Sequence, residues 1–237
     1  MADIANIPSY FLYAALGGIL PALFWLWFWL QEDKLHPEPR SRIMLCFLGG
    51  MAAVPLVYLP EMLVSNHFGP ATPATLLLWA VIEEGLKLAI AWVVALRSRD
   101  YTEPIDALEY LITVALGFAA LENTLFVLNP LLDGNIVQGL VTGNMRFIGA
   151  SLLHVVSSAV LGYCIGREFY RSRTAKNLWR IVGLSLAVAL HTAFNLFIIY
   201  DNGRETFFVF GCVWAAALGV LILFEKIKKL GVAKNPL

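Results

Sequence analysis

The sequence predicts an all-α fold: a polytopic integral membrane bundle of about seven transmembrane helices, N-terminus outside and C-terminus cytoplasmic. Three observations carry this. Hydrophobic residues make up 59% of the chain, charged residues only 14%, and the mean hydropathy is +0.72, whereas soluble domains are about a quarter charged. The apolar runs are long enough to cross roughly 30 Å of hydrocarbon. Of the 17 Lys and Arg residues, 14 fall on one side of a seven-span arrangement, which the positive-inside rule makes cytoplasmic.

The first run, residues 10–30, follows Asp3 rather than a basic segment and has no small-x-small cleavage site, so it reads as a span and not as a signal peptide. It ends in Trp25, Trp27 and Trp29, rings suited to the headgroup level, as are Tyr10, Tyr13, Trp179 and Tyr200 near other ends. Lys34–Arg42, with Pro37 and Pro39, separates it from the second run, 42–65. His67–Pro73 precedes 74–96, Arg97–Pro104 precedes 105–129, and Asn129–Gly143 precedes 142–166. Arg167–Arg180 precedes 179–200, and Asp201–Glu205 precedes 207–225. No repeat or separate soluble domain is evident, so residues 1–237 read as one transmembrane domain. Cys46, Cys164 and Cys212 lie in different apolar runs without CxxC spacing and read as packing residues. Zero net charge gives no general attraction to nucleic acid; the bilayer is the expected partner.

Four runs carry ionisable groups well inside: Glu83, Glu84 and Lys87 in the third, Glu122 beside Asn123 in the fourth, Arg146 and His154 in the fifth, and His191 with Asn195 in the sixth. A charge at mid-membrane costs roughly 2.5–3.5 kcal/mol, which makes each such residue a functional candidate. At about 1.5 Å per residue, Glu83, Glu122, His154 and His191 lie some 12–18 Å from the outer ends of their helices, so they share one layer. Glu83 and Lys87 are i, i+4 and can pair, with Glu84 bordering the same space. Arg146 sits near a helix end, where it can snorkel or support a substrate oxyanion. Glu61, Asp106 and Glu109 read as interfacial.

Such a layer suits two chemistries for water activation. A carboxylate can act as general base with a second group as acid, or Glu and His can hold Zn²⁺. Asn195 and a histidine could donate to an oxyanion. The bland readings are an ion pair for Glu83–Lys87, interhelical hydrogen bonding for Glu122–Asn123, and core histidines partnered by Ser157 or Ser158. An ion- or proton-coupled transporter would also use buried Glu, His and Lys, though usually with an internal repeat. A retinal protein would need a lysine in the middle of the last span, which has none before Lys226.

At these residues the sequence resembles the PrsW family of intramembrane proteases, itself similar to the CAAX-protease and bacteriocin-processing superfamily. Glu83-Glu84-Gly85-Leu86-Lys87 reads as EExxK, Phe118 to Asn123 as FxxxEN, and His191 to Asn195 as HxxxN, with His154 between them. The resemblance implies cleavage of a membrane-anchored protein, typically an anti-sigma factor, on its extracytoplasmic side. It implies Glu83, Glu84, Lys87, Asn123 and Asn195 as catalytic residues. The wider superfamily commonly shows EExxxR and FxxxH, whereas this chain has Lys87 one position earlier and Glu122 at the histidine position. Glu122, His154 and His191 are therefore the expected zinc set, with a metal-free glutamate mechanism as the alternative.

Overall fold

A computed structural model describes residues 7–34, 36–200 and 204–232. Its helices are α1 (Ile7–Trp29), α2 (Arg40–Phe68), α3 (Pro73–Ala91), α4 (Asp106–Leu132), α5 (Ile136–Met145), α6 (Ser151–Gly166), α7 (Arg173–Asn195) and α8 (Thr206–Val232). Three wider π-helical stretches extend or join them: Trp92–Leu96 continues α3, Arg146–Ala150 links α5 to α6, and Leu196–Tyr200 continues α7. The result is seven helical rods, with no strand among the described residues. Six are long and apolar enough to cross a membrane: Ile7–Trp29, Arg40–Phe68, Asp106–Leu132, Ile136–Gly166, Arg173–Ile199 and Thr206–Leu230. The remaining rod, α3 with its extension, carries Glu83, Glu84 and Lys87 at its centre.

Two boundaries differ from the sequence expectation. The break expected over Asn129–Gly143 shrinks to Asp133–Asn135. Pro130 is accommodated inside α4, Gly134 takes a positive φ of 79° to turn the chain, and the Asn135 side chain caps α5 by accepting from Gln138 N at 3.0 Å. Helix α7 likewise begins at Arg173, where Ser172 accepts from Ala175 N. A basic, polar first turn is the cause in that case, since such a turn extends beyond an apolar run without interrupting the helix.

α4 is the central pillar, packed against α1, α2 and α6 and touching α3 and α5. Every residue from Asp106 to Ala120 is buried. Asp106 and Glu109, expected at the interface, are therefore interior. Asp106 accepts from the backbone N–H groups of Thr102 and Glu103 at 2.7 and 2.8 Å, which fixes the turn into α4. Glycines allow the close approach of α2: a Cβ on Gly117 would strike the Phe47 carbonyl oxygen, and one on Gly50 the Val114 carbonyl oxygen. Small residues at such crossings let membrane helices pack backbone to backbone. Arg42 pairs with Asp100 at 2.7 Å and Lys228 with Glu32 at 3.0 Å, tying together the loops at the end rich in basic residues.

Candidate metal centre

The ionisable residues of the four rods meet in one buried cluster. Lys87, without exposed surface, lies at its centre. Its ammonium donates to Glu84 Oε1 at 2.9 Å, to Glu83 Oε2 at 3.4 Å and to His154 Nδ1 at 2.8 Å, and stands 4.3 Å from the centre of the Phe118 ring. Ammonium has no lone pair, so Nδ1 of His154 must be the acceptor. The other nitrogen, Nε2, then carries the proton and donates to Glu122 Oε2 at 3.1 Å.

Glu84 is the second hub. Its Oε1 also takes the Nδ1–H of His191 at 2.8 Å and a longer 3.4 Å bond from Ser157. With Nδ1 engaged as donor, the lone pair of His191 lies on Nε2, which faces Glu83 Oε2 at 3.9 Å. The two imidazoles stand edge to face, 5.2 Å between centroids. Arg146, at the start of the π-helical link, pairs with Glu122 and donates from Nε to Asn123 Oδ1 at 2.5 Å. Asn123 passes the connection on to Ser151 Oγ at 2.9 Å. Arg146 is thus inside the site rather than snorkelling, because the wider π turn carries it inward toward α4. Ser158 makes no bond to His154, whose two nitrogens are occupied by Lys87 and Glu122.

A cavity of about 610 Å³ opens on one side of this cluster, walled by α2, α3, α4, α6 and α7. Glu83, Glu122, Arg146, His154, His191 and Asn195 line its polar part, and Val54, Tyr58, Leu125 and Phe194 are among its apolar walls. Glu84 and Lys87 lie behind that surface. Glu61 also lines the cavity, with Oε1 buried and unpartnered. Its reading as a purely interfacial residue fails because α2 turns this face toward α3, where Trp79 Nε1 donates to the Glu61 carbonyl oxygen at 3.1 Å.

The donor set fits a cation. Glu83, His154 and His191 each offer one ligand atom, all within 4.8 Å of one another, and all three residues are buried. Three carboxylates (Glu83, Glu84, Glu122) face two permanent cations (Lys87, Arg146), leaving one negative charge uncompensated if both imidazoles are neutral. Glu84 Oε2 is buried with no partner. Glu122, expected with the histidines, sits one step aside against His154 and Arg146, while Glu83 faces His191. The signal that could have favoured Glu83 is its position one residue before Glu84: a quarter-turn of helix lets one carboxylate brace the imidazole from behind while the other faces it from the cavity.

Comparison with known proteins agrees with this geometry. The chain is 26% identical over 191 residues to the protease PrsW of Shouchella clausii (strain KSM-K16), covering 80% of this chain and 84% of that one. It is 27% identical over 167 residues to the protease PrsW of Geobacillus kaustophilus (strain HTA426), 69% and 70% of the two chains. To the protease PrsW of Bacillus subtilis (strain 168) it is 23% identical over 181 residues, 76% and 79%. No solved structure matches it. The profile of the PrsW family intramembrane metalloproteases spans residues 38–223, which takes in every element of the cluster. Four helices, three of them long and apolar enough to cross a membrane, converge buried Glu and His on one cavity, and a family match covering most of the sequence places the chain in the PrsW family of intramembrane metalloproteases, as a peptide hydrolase.

Proposed function

We propose that this protein cuts a peptide bond of a membrane-anchored substrate inside a seven-span bundle, with its N-terminus outside and its C-terminus in the cytoplasm. The carrying observation is the convergence of Glu83, His154 and His191 within 4.8 Å at the wall of the cavity. One carboxylate and two imidazoles are a donor set suited to Zn²⁺, which when bound lowers the pKa of its water and polarises the scissile carbonyl. In this reading Glu83 is the carboxylate ligand, and Glu122 stands beside the set.

The chain's own residues have distinct tasks. Glu84 holds Nδ1 of His191 and so directs its Nε2 lone pair at the cavity. Lys87 neutralises Glu84 and Glu83 behind the wall. To act as a ligand through Nε2, His154 would carry its single proton on Nδ1 instead, with the Lys87 ammonium turned to Glu83 and Glu84, and Glu122 beside Nε2 would stay ionised. The same Glu122 can carry a proton from the attacking water to the leaving amine. Arg146 and Asn195, on the same wall, can donate to the oxyanion. Asn123 acts on Arg146 and not on substrate, since both ends of its amide are already occupied.

The substrate is a protein with a single membrane anchor, of the anti-sigma-factor kind, cut on the extracytoplasmic side. The cluster supports that side because Glu122 lies about 15 Å from the end of α4 and about 24 Å from its start at the basic end. The test is elemental analysis of the purified protein with cleavage assayed before and after chelation. About one zinc per chain, lost together with activity on chelation, is the expected result. No metal and unchanged cleavage would refute it, leaving Glu83 or Glu84 as sole activator of the water.

A further inference from the structure

A second set of buried carboxylates lies at the other end of the bundle, and the proposed peptidase does not use it. Glu109, in the first turn of α4, is 97% buried by its 3% exposure, and its Oε1 has no partner. Asp33, just beyond α1, is 8% exposed, and its Oδ2 has no partner. Both line a separate cavity of about 520 Å³ between α1 and α2. Thirteen residues of α4 separate Glu109 from Glu122, about 20 Å, so this cavity is distinct from the one described above.

The walls indicate what enters. Leu23 of α1 and Met44 and Leu48 of α2 line the cavity and are 42%, 59% and 51% exposed, so it opens along an apolar face. Arg40, the first residue of α2, stands at its rim and makes no carboxylate ion pair among the described residues. Lys228, whose charge acts on Asp33, is already held by Glu32 at 3.0 Å and Glu225 at 2.8 Å. The lining therefore combines two carboxylates with an orphan oxygen each, a third (Glu38) engaged by the Tyr110 hydroxyl, one guanidinium without a carboxylate partner, and apolar walls.

These three kinds of group are the partners of the three parts of a zwitterionic phospholipid: carboxylates for its ammonium, a guanidinium for its phosphate, apolar walls for its acyl chains. We propose that the cleft between α1 and α2 binds a phospholipid with a primary-amine headgroup, its ammonium between Asp33 and Glu109 and its phosphate on Arg40. A primary ammonium offers three N–H donors to the orphan oxygens, whereas a trimethylammonium offers none. An Arg–phosphate contact is the strong, charge-assisted kind. A chelated divalent ion fits less well, because the only trio of converging ligand atoms among the described residues is the Glu83 group. Burial also pushes the Asp33 carboxyl above its ordinary range, and a neighbouring ammonium would relieve that penalty.

The test uses the full chain and reads lipid binding, so it is independent of cleavage. Native mass spectrometry of protein offered equal phosphatidylethanolamine and phosphatidylcholine should show about a tenfold preference for the amine, equivalent to about 1.4 kcal/mol. Glu109→Gln and Asp33→Asn should each bring the ratio close to one. Arg40→Gln should weaken both lipids alike. Mono- and dimethylated headgroups on the wild-type protein should bind with stepwise lower retention, which keeps the proposal testable if a variant fails to fold. Equal retention of the two lipids, or a preference that survives both carboxamide variants, overturns it. So does effective competition by soluble glycerophosphoethanolamine, which would point to a free headgroup ligand. Displacement of the lipid by Mg²⁺ in a Glu109-dependent manner would instead point to a metal site.

Discussion

Glu84→Gln separates the two adjacent glutamates most cleanly. Glu84 has no exposed surface and accepts from Lys87 at 2.9 Å and His191 at 2.8 Å, both strong contacts to a charged acceptor. The substituted amide can keep its oxygen in the Oε1 place and accept from both Lys87 and His191, while its NH₂ takes the place of the buried, unpartnered Oε2. The neutral amide oxygen holds the Nδ1–H of His191 and the Lys87 ammonium more weakly than a carboxylate does, so the Nε2 lone pair is less firmly aimed and Lys87 loses a counter-charge. Breaking a buried charge pair costs roughly 3–5 kcal/mol, and the retained Lys87 bond puts the expected loss near the low end. At this chain length that is a fall of about 6–12 °C in unfolding temperature, by roughly 2–4 °C per kcal/mol. Disturbing such an outer-shell partner also costs about 10–100-fold in metal affinity. Glu83→Gln behaves differently. Glu83 accepts only one long bond, 3.4 Å from Lys87, so its loss should spare stability while removing a ligand outright. The assay is thermal unfolding in detergent beside metal titration for wild type and both variants. A Glu84→Gln protein that melts and binds metal like wild type, or a Glu83→Gln protein that melts far lower with its metal retained, would refute the division of roles.

Glu122→Gln should keep its zinc and lose cleavage by at least about a hundredfold, the usual contribution of a general base; zinc content falling as far as in His191→Ala would return Glu122 to the ligand set that the sequence suggests. Arg146→Met should leave Glu122 without its guanidinium and lower the turnover number more than it raises the Michaelis constant, and an unchanged turnover number would remove Arg146 from oxyanion support. Gly117→Val should cost about 1–3 kcal/mol or more by forcing α2 off α4, seen as a lower unfolding temperature; a wild-type value would show that this crossing can relax. At the basic end, burial pushes the Glu38 carboxyl up to about 8, with the Tyr110 hydroxyl bond opposing and the Asp106 charge reinforcing the shift. A folded value above the unfolded one means that stability is present at low pH and lost as pH rises through about 8. The unfolding temperature should therefore decline between roughly pH 4.5 and 8, level off above that, and flatten throughout in Glu38→Gln, whereas a flat wild-type profile would contradict the burial of this group.

What the sequence made legible was periodicity and chemistry; what it hid was rotation and local winding. Glu83, Glu84, Lys87, Glu122, His154 and His191 all meet as their shared depth suggests, since a costly residue in an apolar run has few alternatives to another such residue. Depth alone cannot tell which carboxylate faces which imidazole: Glu122 meets His154 as expected, but it is Glu83 that faces His191. Arg146 was ambiguous for a related reason: a helix-end arginine normally reaches for water, and only the π turn after Met145 directs it toward Asn123. Glu61, Asp106 and Glu109 were assigned to the interface by their distance from helix ends. That rule assumes a lipid or water neighbour, and α4 has protein on every side over its first four turns. The α4–α5 boundary moved because Pro130 and Asn129 resemble a break in sequence, yet the helix tolerates both near its end.

The size of the cavity beside the Glu–His cluster constrains what the proposed peptidase could cut there. A helix with its side chains is about 10–12 Å across, so 610 Å³ accommodates roughly one turn of it. Within a turn each carbonyl is held by the amide four residues on, and its two faces are shielded by neighbouring backbone. If the proposed membrane-anchored substrate is cut here, its helix would have to uncoil locally before a peptide bond could lie between Glu122 and the two imidazoles. Glycine or proline near the cleavage point would lower that cost by about 1 or 3 kcal/mol relative to alanine, and selection among such anchors would then act on how readily they unwind as much as on their side chains.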